Sequence, residues 1–169
     1  MMKKIKPFRI HLITAAAVVL LVGIDQLTKY FVVTDLKPIG QKMLIPGFLQ
    51  LSYVENTGAM MGLLGGKTAL MILLALISLA VLLVLIATKK IQFGFLYCCI
   101  ASIVAGGIGN IIDRVFRGYV VDFIEFLFVD FYVFNFADCL ITVGAFLIVF
   151  YEIYDIIKEQ KSKKVKEDG

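Results

Sequence analysis

The sequence predicts an all-α polytopic membrane protein: four transmembrane helices with both termini in the cytoplasm, forming one membrane-embedded domain over residues 1–169. Three observations predict it. The chain is 60% hydrophobic and only 18% charged, with a mean hydropathy of +0.93, where soluble domains carry more charge and less apolar surface. Four apolar stretches have the length needed to cross roughly 30 Å of hydrocarbon. The basic residues are distributed unevenly between the loops that these stretches separate, and no Ser/Gly/Pro-rich linker divides the chain.

Span 1, about residues 10–33, is apolar up to Ile24 and then carries Asp25 and Lys29. The preceding MMKKIKPFR has the charge of a signal-peptide n-region. DQLTKYF rather than a small-residue cleavage site follows the apolar run, so the segment is expected to stay as a span. The first outer loop, about 34–67, has a turn signal at Pro46-Gly47 and a β-prone alternation over Phe48–Val54. Spans 2 and 3, about 68–87 and 91–112, lack charges, and Lys89 and Lys90 lie between them. The second outer loop, about 113–135, contains GYVVDFIEFLFVDFYVFN, a run so apolar that it is expected on the membrane surface or packed on the first loop. Span 4, about 136–157, opens with Asp138 and carries Glu152 and Asp155 near its end.

Orientation follows from the basic residues. Eleven of 17 fall at the N-terminus (Lys3, Lys4, Lys6, Arg9), in the 2–3 loop and in the C-terminal tail (Lys158, Lys161, Lys163, Lys164, Lys166), which places those segments in the cytoplasm. There they are suited to anionic membrane lipids. Eight of the 13 acids lie on the opposite side. The lysine runs lack interleaved aromatics, so no nucleic-acid partner is indicated. Cys98, Cys99 and Cys139 have neither CxxC nor metal-ligand spacing, so no disulfide framework and no metal site are expected.

This topology brings the unusual polar residues to one depth. Asp25 and Lys29 end span 1, Asn56 and Gly58 lie in the first outer loop, and Asn110, Asp113 and Arg114 end span 3. Asp122 follows in the second loop, and Asn135 and Asp138 begin span 4. Each has a structural explanation taken alone. Asp25 and Lys29 have i,i+4 spacing for a local ion pair. Gly106, Gly107 and Gly109 permit close helix packing, and Ala105/Gly109 has small-xxx-small spacing. Asn110 and Arg114 are also i,i+4. Asn135 has the character of an N-cap with Asp138 favoured in the first turn, and Asp122 is open to a reading as a surface loop acid. None of these readings explains why five segments converge.

The residue inventory narrows the chemistry. The single histidine, His11, lies at the cytoplasmic end of span 1, so a Ser or Cys hydrolase lacks its usual base. HExxH is absent. Cys139 points about 100° away from Asp138 on a helix and reads as a packing residue. Two carboxylates brought together, Asp122 and Asp138, would share a proton: one activates water while the other polarises a carbonyl. The rival class is an ion- or proton-coupled carrier using the same acids. Against it, spans 2 and 3 are uncharged at their centres and no repeat is visible. A scaffold built on the glycine-rich span 3 leaves both aspartates unexplained.

The motifs DQLTK, IPGFLQLSYVENTGA, GGIGNIIDR, VVDFI and FNFADC occur in this order along nearly the whole chain. Together they resemble the bacterial lipoprotein signal peptidases (signal peptidase II), which are intramembrane aspartic proteases. The resemblance implies a catalytic pair at Asp122 and Asp138, supported by Asp25, Lys29, Asn56, Gly58, Ala59, Asn110, Arg114, Asn135 and Ala137. It also implies a small extracytoplasmic β-sheet cradling the substrate and a lid formed by the second outer loop; within that loop the charged Glu125 and Asp130 are expected to face solvent. The implied substrates are diacylglyceryl-modified prolipoproteins, cut just before the lipidated cysteine, with no cofactor. The expected setting is a monomer in the bacterial cytoplasmic membrane, its active site near the extracytoplasmic face. One departure stands out: Met60-Met61 replaces the family's Ala-aromatic pair after Gly58-Ala59, exchanging one flexible or flat apolar contact for another.

Overall fold

A computed structural model describes residues 7–58, 68–87 and 94–167. Among the described residues, four α-helices and three strands follow one another in the order α1 (Pro7–Phe31), β1 (Gln41–Ile45), β2 (Leu49–Asn56), α2 (Thr68–Ala87), α3 (Phe95–Phe116), β3 (Val120–Phe126) and α4 (Phe136–Glu167). Stretches of three helices are long and apolar enough to cross a membrane: Arg9–Leu36, Phe95–Phe116 and Phe136–Lys161. The apolar stretch of α2, Ala69–Val84, is shorter. The outer faces of these helices expose large side chains such as Val19, Leu20, Phe146 and Phe150, as expected where lipid rather than water is the solvent.

Helix α3 is the central element and packs on α1, α2 and α4. Its glycines divide by role. A Cβ at Gly106 would run into the Ala137 carbonyl, and one at Gly109 would run into the Asp25 carboxylate, whereas Gly107 faces open space. Close approach of α1 and α4 therefore needs two of the three glycines, and at Gly109 the neighbour is a polar group of the site.

Beyond Phe31, α1 widens into a π-helical turn, Val32–Leu36. That turn places Val32 and Leu36 against Val121 and Phe123 of β3, forming the core beneath the sheet. The sheet is antiparallel in the order β1-β2-β3. The β1–β2 hairpin turns at Pro46-Gly47, where Gly47 has φ 69° and the Phe48 N–H donates to the Ile45 carbonyl at 3.0 Å. Between α3 and β3 the chain reverses at Gly118, φ 82°, a left-handed conformation that suits glycine.

Several boundaries differ from the sequence reading. The second outer loop is shorter than expected, because α3 continues to Phe116 and Val120–Phe126 is a strand hydrogen-bonded to β2. Cross-strand pairing satisfies a backbone that the run's apolar composition had hidden as loop. Glu125 is accordingly half-buried, accepting hydrogen bonds from Gln50 (2.6 Å) and from Ser52, not free in solvent as expected. Asp130 is exposed. Helix α4 runs ten residues past the expected Ile157 and takes up much of the basic tail. Residues 91–93 of the expected span 3 lie outside the described residues, as do Lys3, Lys4, Lys6, Lys89 and Lys90.

Candidate active site

One turn of α1 separates Asp25 from Lys29, so both project from the same helical face. They form the expected ion pair, Nζ to Oδ2 at 2.9 Å. Lys29 also reaches α3, at 3.0 Å from Asp113 Oδ2 and donating to Asn110 Oδ1 at 3.0 Å. Its three ammonium donors thus have three acceptors. Asp25, Lys29 and Asp113 are fully buried. Such charges are tolerated only when paired and hydrogen-bonded, and here the free carboxylate lone pairs accept backbone N–H groups. Ala137 N donates to Asp25 Oδ1 at 3.0 Å, and Val121 N to Asp113 Oδ2 at 3.1 Å. Gln26 Nε2 spans Asp25, Asp113 and the Gly109 carbonyl at 3.1–3.3 Å.

Asn135 and Asp138 begin α4 with a reciprocal cap. Asp138 N donates to Asn135 Oδ1 at 3.0 Å, and Asn135 N to Asp138 Oδ2 at 3.2 Å. The capping reading is therefore correct, but it uses only part of Asn135. Its amide also donates to Asp122 Oδ1 at 2.6 Å and to Asn110 Oδ1 at 3.2 Å. Asn110 Nδ2 in turn donates to Asp138 Oδ1 at 2.8 Å. Asn135 is thus tied by hydrogen bonds to both aspartates, with Asn110 linking the same group to Lys29.

Asp122 lies on β3 opposite Val54 at a bulge in the β2–β3 pairing, and it is 2% exposed. It is not the surface acid that its loop position allowed. Asn56 Nδ2 donates to its Oδ2 at 2.8 Å, while Asn56 Oδ1 accepts the Gly58 N–H at 3.1 Å. Burial and then the neighbouring Asp138 carboxylate push the Asp122 pKa up to about 6, against the two asparagine donors. Two interacting carboxylates with one raised affinity for a proton are the arrangement needed for paired acid and base work.

Both aspartates line one cavity of about 960 Å³, with Arg114, Gly58 and apolar walls from Met71, Phe131, Phe134 and Val143. Arg114 is half-buried and donates to the Asn110 carbonyl at 3.3 Å. Cys139 also lines this wall rather than only packing between helices. His11 is remote from the cavity; its Nδ1 lies 2.9 Å from the Tyr97 hydroxyl.

The structure brings together all the expected site residues that it describes; Ala59, with Met60 and Met61, lies outside the described residues. Sequence reasoning left two members out of the site. Asp113 was placed at the right depth without a partner, although its i+3 spacing from Asn110 and i+4 spacing from Gly109 put it on the face turned to α1. Gln26 gave no signal beyond adjacency to Asp25. Among the described residues no group of three or more His, Cys, Asp or Glu side chains has the geometry to hold a metal ion.

Comparison with known proteins identifies the family. A family model described as signal peptidase (SPase) II matches residues 17–154. The lipoprotein signal peptidase of Clostridioides difficile strain 630 is 40% identical over 147 residues, covering 86% of this chain and 96% of that protein. The lipoprotein signal peptidase of Enterococcus faecalis strain V583 is 38% identical over 151 residues, covering 89% and 91%. A solved bacterial membrane enzyme superposes with a TM-score of 0.78 at 36% identity, covering 85% of this chain and 88% of that one. With a family match across most of its length and relatives of this identity, the chain belongs to the signal peptidase II family.

Proposed function

We propose that this protein removes signal peptides from diacylglyceryl-modified prolipoproteins as an aspartic endopeptidase, cleaving just before the lipidated cysteine. The observation that carries the assignment of the catalytic pair is the convergence of Asp122 and Asp138 on one largely apolar cavity, each held by asparagine donors. In the ground state the pair holds one proton. The ionised carboxylate takes a proton from water as the water oxygen bonds to the scissile carbonyl carbon. The protonated carboxyl gives its proton to the carbonyl oxygen. Collapse of the tetrahedral intermediate breaks the C–N bond: the leaving amine takes the proton held by the pair, while a hydroxyl of the gem-diol gives its proton to the other carboxylate as the new carbonyl forms, so the dyad again holds one proton. Asn56, Asn110 and Asn135 hold the carboxylates in place, and Arg114 offers a cation at the cavity edge.

The relatives are named lipoprotein signal peptidases, which favours this reading over an ion- or proton-coupled carrier. The chain acts as one domain of four transmembrane helices with both termini in the cytoplasm, and as a monomer among membrane lipids. Its cavity then opens near the extracytoplasmic face of the bacterial cytoplasmic membrane. A membrane-level apolar cavity suits a substrate whose acyl chains and signal helix remain in the bilayer. The sheet cradles the substrate, and the aromatic segment after β3, carrying Phe131 and Phe134, closes over it as a lid.

The test is cleavage of a lipidated prolipoprotein in detergent by the wild type, Asp122→Asn and Asp138→Asn. Each substitution abolishes turnover while leaving the protein folded; near-normal activity in either one refutes the dyad. A C-terminal tag accessible only from the cytoplasm is the expected outcome for the topology, and an extracytoplasmic tag overturns it.

A further inference from the structure

The two aspartates of the proposed dyad come from different elements, β3 and α4, and nothing in either element alone fixes the distance between them. Each is immediately preceded by a residue whose backbone N–H is held by a buried carboxylate. Val121 N donates to Asp113 Oδ2 at 3.1 Å, and Ala137 N donates to Asp25 Oδ1 at 3.0 Å. Those two carboxylates share one cation, Lys29 Nζ, at 3.0 and 2.9 Å. Lys29, Asp25 and Asp113 are all fully buried, and none of them lines the cavity.

We infer that Asp113 is a positioning residue for Asp122, the counterpart of Asp25 for Asp138, and that Lys29 couples the two so that the dyad spacing is set by one buried ion-pair bridge. The inference rests on the dyad assignment and deepens it. A carboxylate buried beside an ammonium has little freedom: moving it costs both the ion pair and the backbone hydrogen bond. The bridge therefore resists any slide of β3 relative to α4, because Asp113 is carried by α3 and Asp25 by α1, and both are tied to the same nitrogen. A third arm runs from Lys29 to Asn110 Oδ1. That contact fixes the orientation of the Asn110 amide, so that its Nδ2 faces Asp138 Oδ1. Catalysis by a shared-proton pair tolerates little misplacement, since an error of about 1 Å can cost on the order of a hundredfold in rate.

The test compares Asp113→Asn with Asp113→Ala in the full-length enzyme, using a lipidated prolipoprotein substrate. Both substitutions remove the same charge; asparagine keeps a carbonyl oxygen to accept from the Val121 N–H and Lys29, whereas alanine loses that acceptor together with the contact to Gln26, so exchange at the Val121 amide is read alongside kcat in both. The groups that also bear on the pair's titration are the same in both variants: Asp25 and Lys29 on α1, Glu55 on β2, Arg114 and Arg117 on α3, and Tyr132 before α4. The expected result is a kcat at least about tenfold higher for Asn than for Ala at equal KM, with the two limbs of the Ala pH–rate profile drawn closer together, since carboxylates that move apart couple less. Equal kcat and equal pH limbs in the two variants overturn the inference.

If the Ala variant does not fold, Asp113→Asn decides alone through amide exchange at Val121. Slow exchange with kcat within about tenfold of wild type, or fast exchange with kcat reduced on the order of a hundredfold, supports positioning. Fast exchange with kcat unchanged, or slow exchange with a comparably large loss, overturns it. Asp122→Asn and Asp138→Asn run alongside. Activity surviving in those two refutes the dyad itself, whereas their loss together with indifferent Asp113 variants refutes only the positioning role.

Discussion

Asn135 serves both the fold and the site, and substitution by serine separates the two roles. Serine is about as good an N-cap as asparagine, so Asn135→Ser keeps the acceptor for Asp138 N and the start of α4. It loses the Nδ2 donor that sits 2.6 Å from Asp122 Oδ1. A hydrogen bond to a charged group is worth about 1.5–3 kcal/mol, and one pKa unit corresponds to about 1.36 kcal/mol. That donor favours the ionised form, so its loss raises the proton affinity of the pair by about one to two units. Starting from an Asp122 pKa pushed up to about 6, the alkaline limb of kcat/KM, where the pair gives up its one proton, moves to about pH 7–8. The assay is the pH–rate profile on a lipidated prolipoprotein in detergent, with Tm measured in parallel. Asn135→Ala gives a similar limb shift but also loses the cap, at about 1 kcal/mol of stability. A serine variant of normal Tm whose alkaline limb stays within about 0.3 units of wild type refutes the coupling of Asn135 to the dyad.

Gly109→Ala places a Cβ against the Asp25 carboxylate and is expected to lower kcat by tenfold or more, by an estimate of about 1.4 kcal/mol in barrier, whereas Gly107→Ala, which meets open space, leaves activity within about twofold. Equal activities for the two variants count against the packing account. Stability follows the opposite sign from most carboxylates. The folded pKa of Asp122 is raised above its unfolded value of 3.8 to about 6, so its proton stabilises the folded state fully below about pH 3.8, and that contribution is lost as pH rises to about 6. The loss amounts to about 3 kcal/mol, and Asp122→Asn abolishes this part of the pH dependence of Tm. Cys139→Ser retains most activity despite its place on the cavity wall, and EDTA leaves turnover unchanged; strong inhibition by either treatment points to chemistry outside the two aspartates.

What the sequence made legible depended on which signals are local. Helix α2, Thr68–Ala87, falls within the uncharged run between Lys67 and Lys89, because an unbroken apolar stretch gives a helix no internal reason to stop. The hairpin was visible in Pro46-Gly47 and the alternation that follows. Strand β3 was not, because VVDFIEF is read equally well as a buried strand or as an interfacial loop, and only pairing with β2 decides. The polar residues were located by depth alone, which a topology supplies. Their partners were not, since depth carries no angular information about which face of α3 meets α1. Asp113 therefore remained a polar residue at the right level, while its contact with Lys29 needed the three-dimensional packing that Gly109 permits. Glu125 failed for the same reason: its partners Gln50 and Ser52 lie more than 70 residues away.

The charges around the cavity give the proposed shared proton a reason independent of the reaction. Asp25, Asp113, Asp122 and Asp138 supply four carboxylates, and Lys29, Arg114 and Arg117 supply three cations, with Arg117 Nε 3.8 Å from Asp113 Oδ1. Glu55 and Lys37, exposed and 2.8 Å apart, cancel each other at the rim. A network this buried is costly to leave with a net charge, so the fourth carboxylate is the one that retains a proton. Asp25 and Asp113 each face Lys29 directly, which leaves the proton to Asp122 and Asp138. Asp113→Asn tests the balance: with three carboxylates against three cations, the dyad no longer needs its proton for neutrality. Its proton affinity falls and the alkaline limb of kcat/KM moves to lower pH, the direction opposite to that expected for Asn135→Ser. An alkaline limb that stays in place, or moves to higher pH, shows that the Asp113 charge is not felt at the dyad and removes the electrostatic reason for one proton shared between two aspartates.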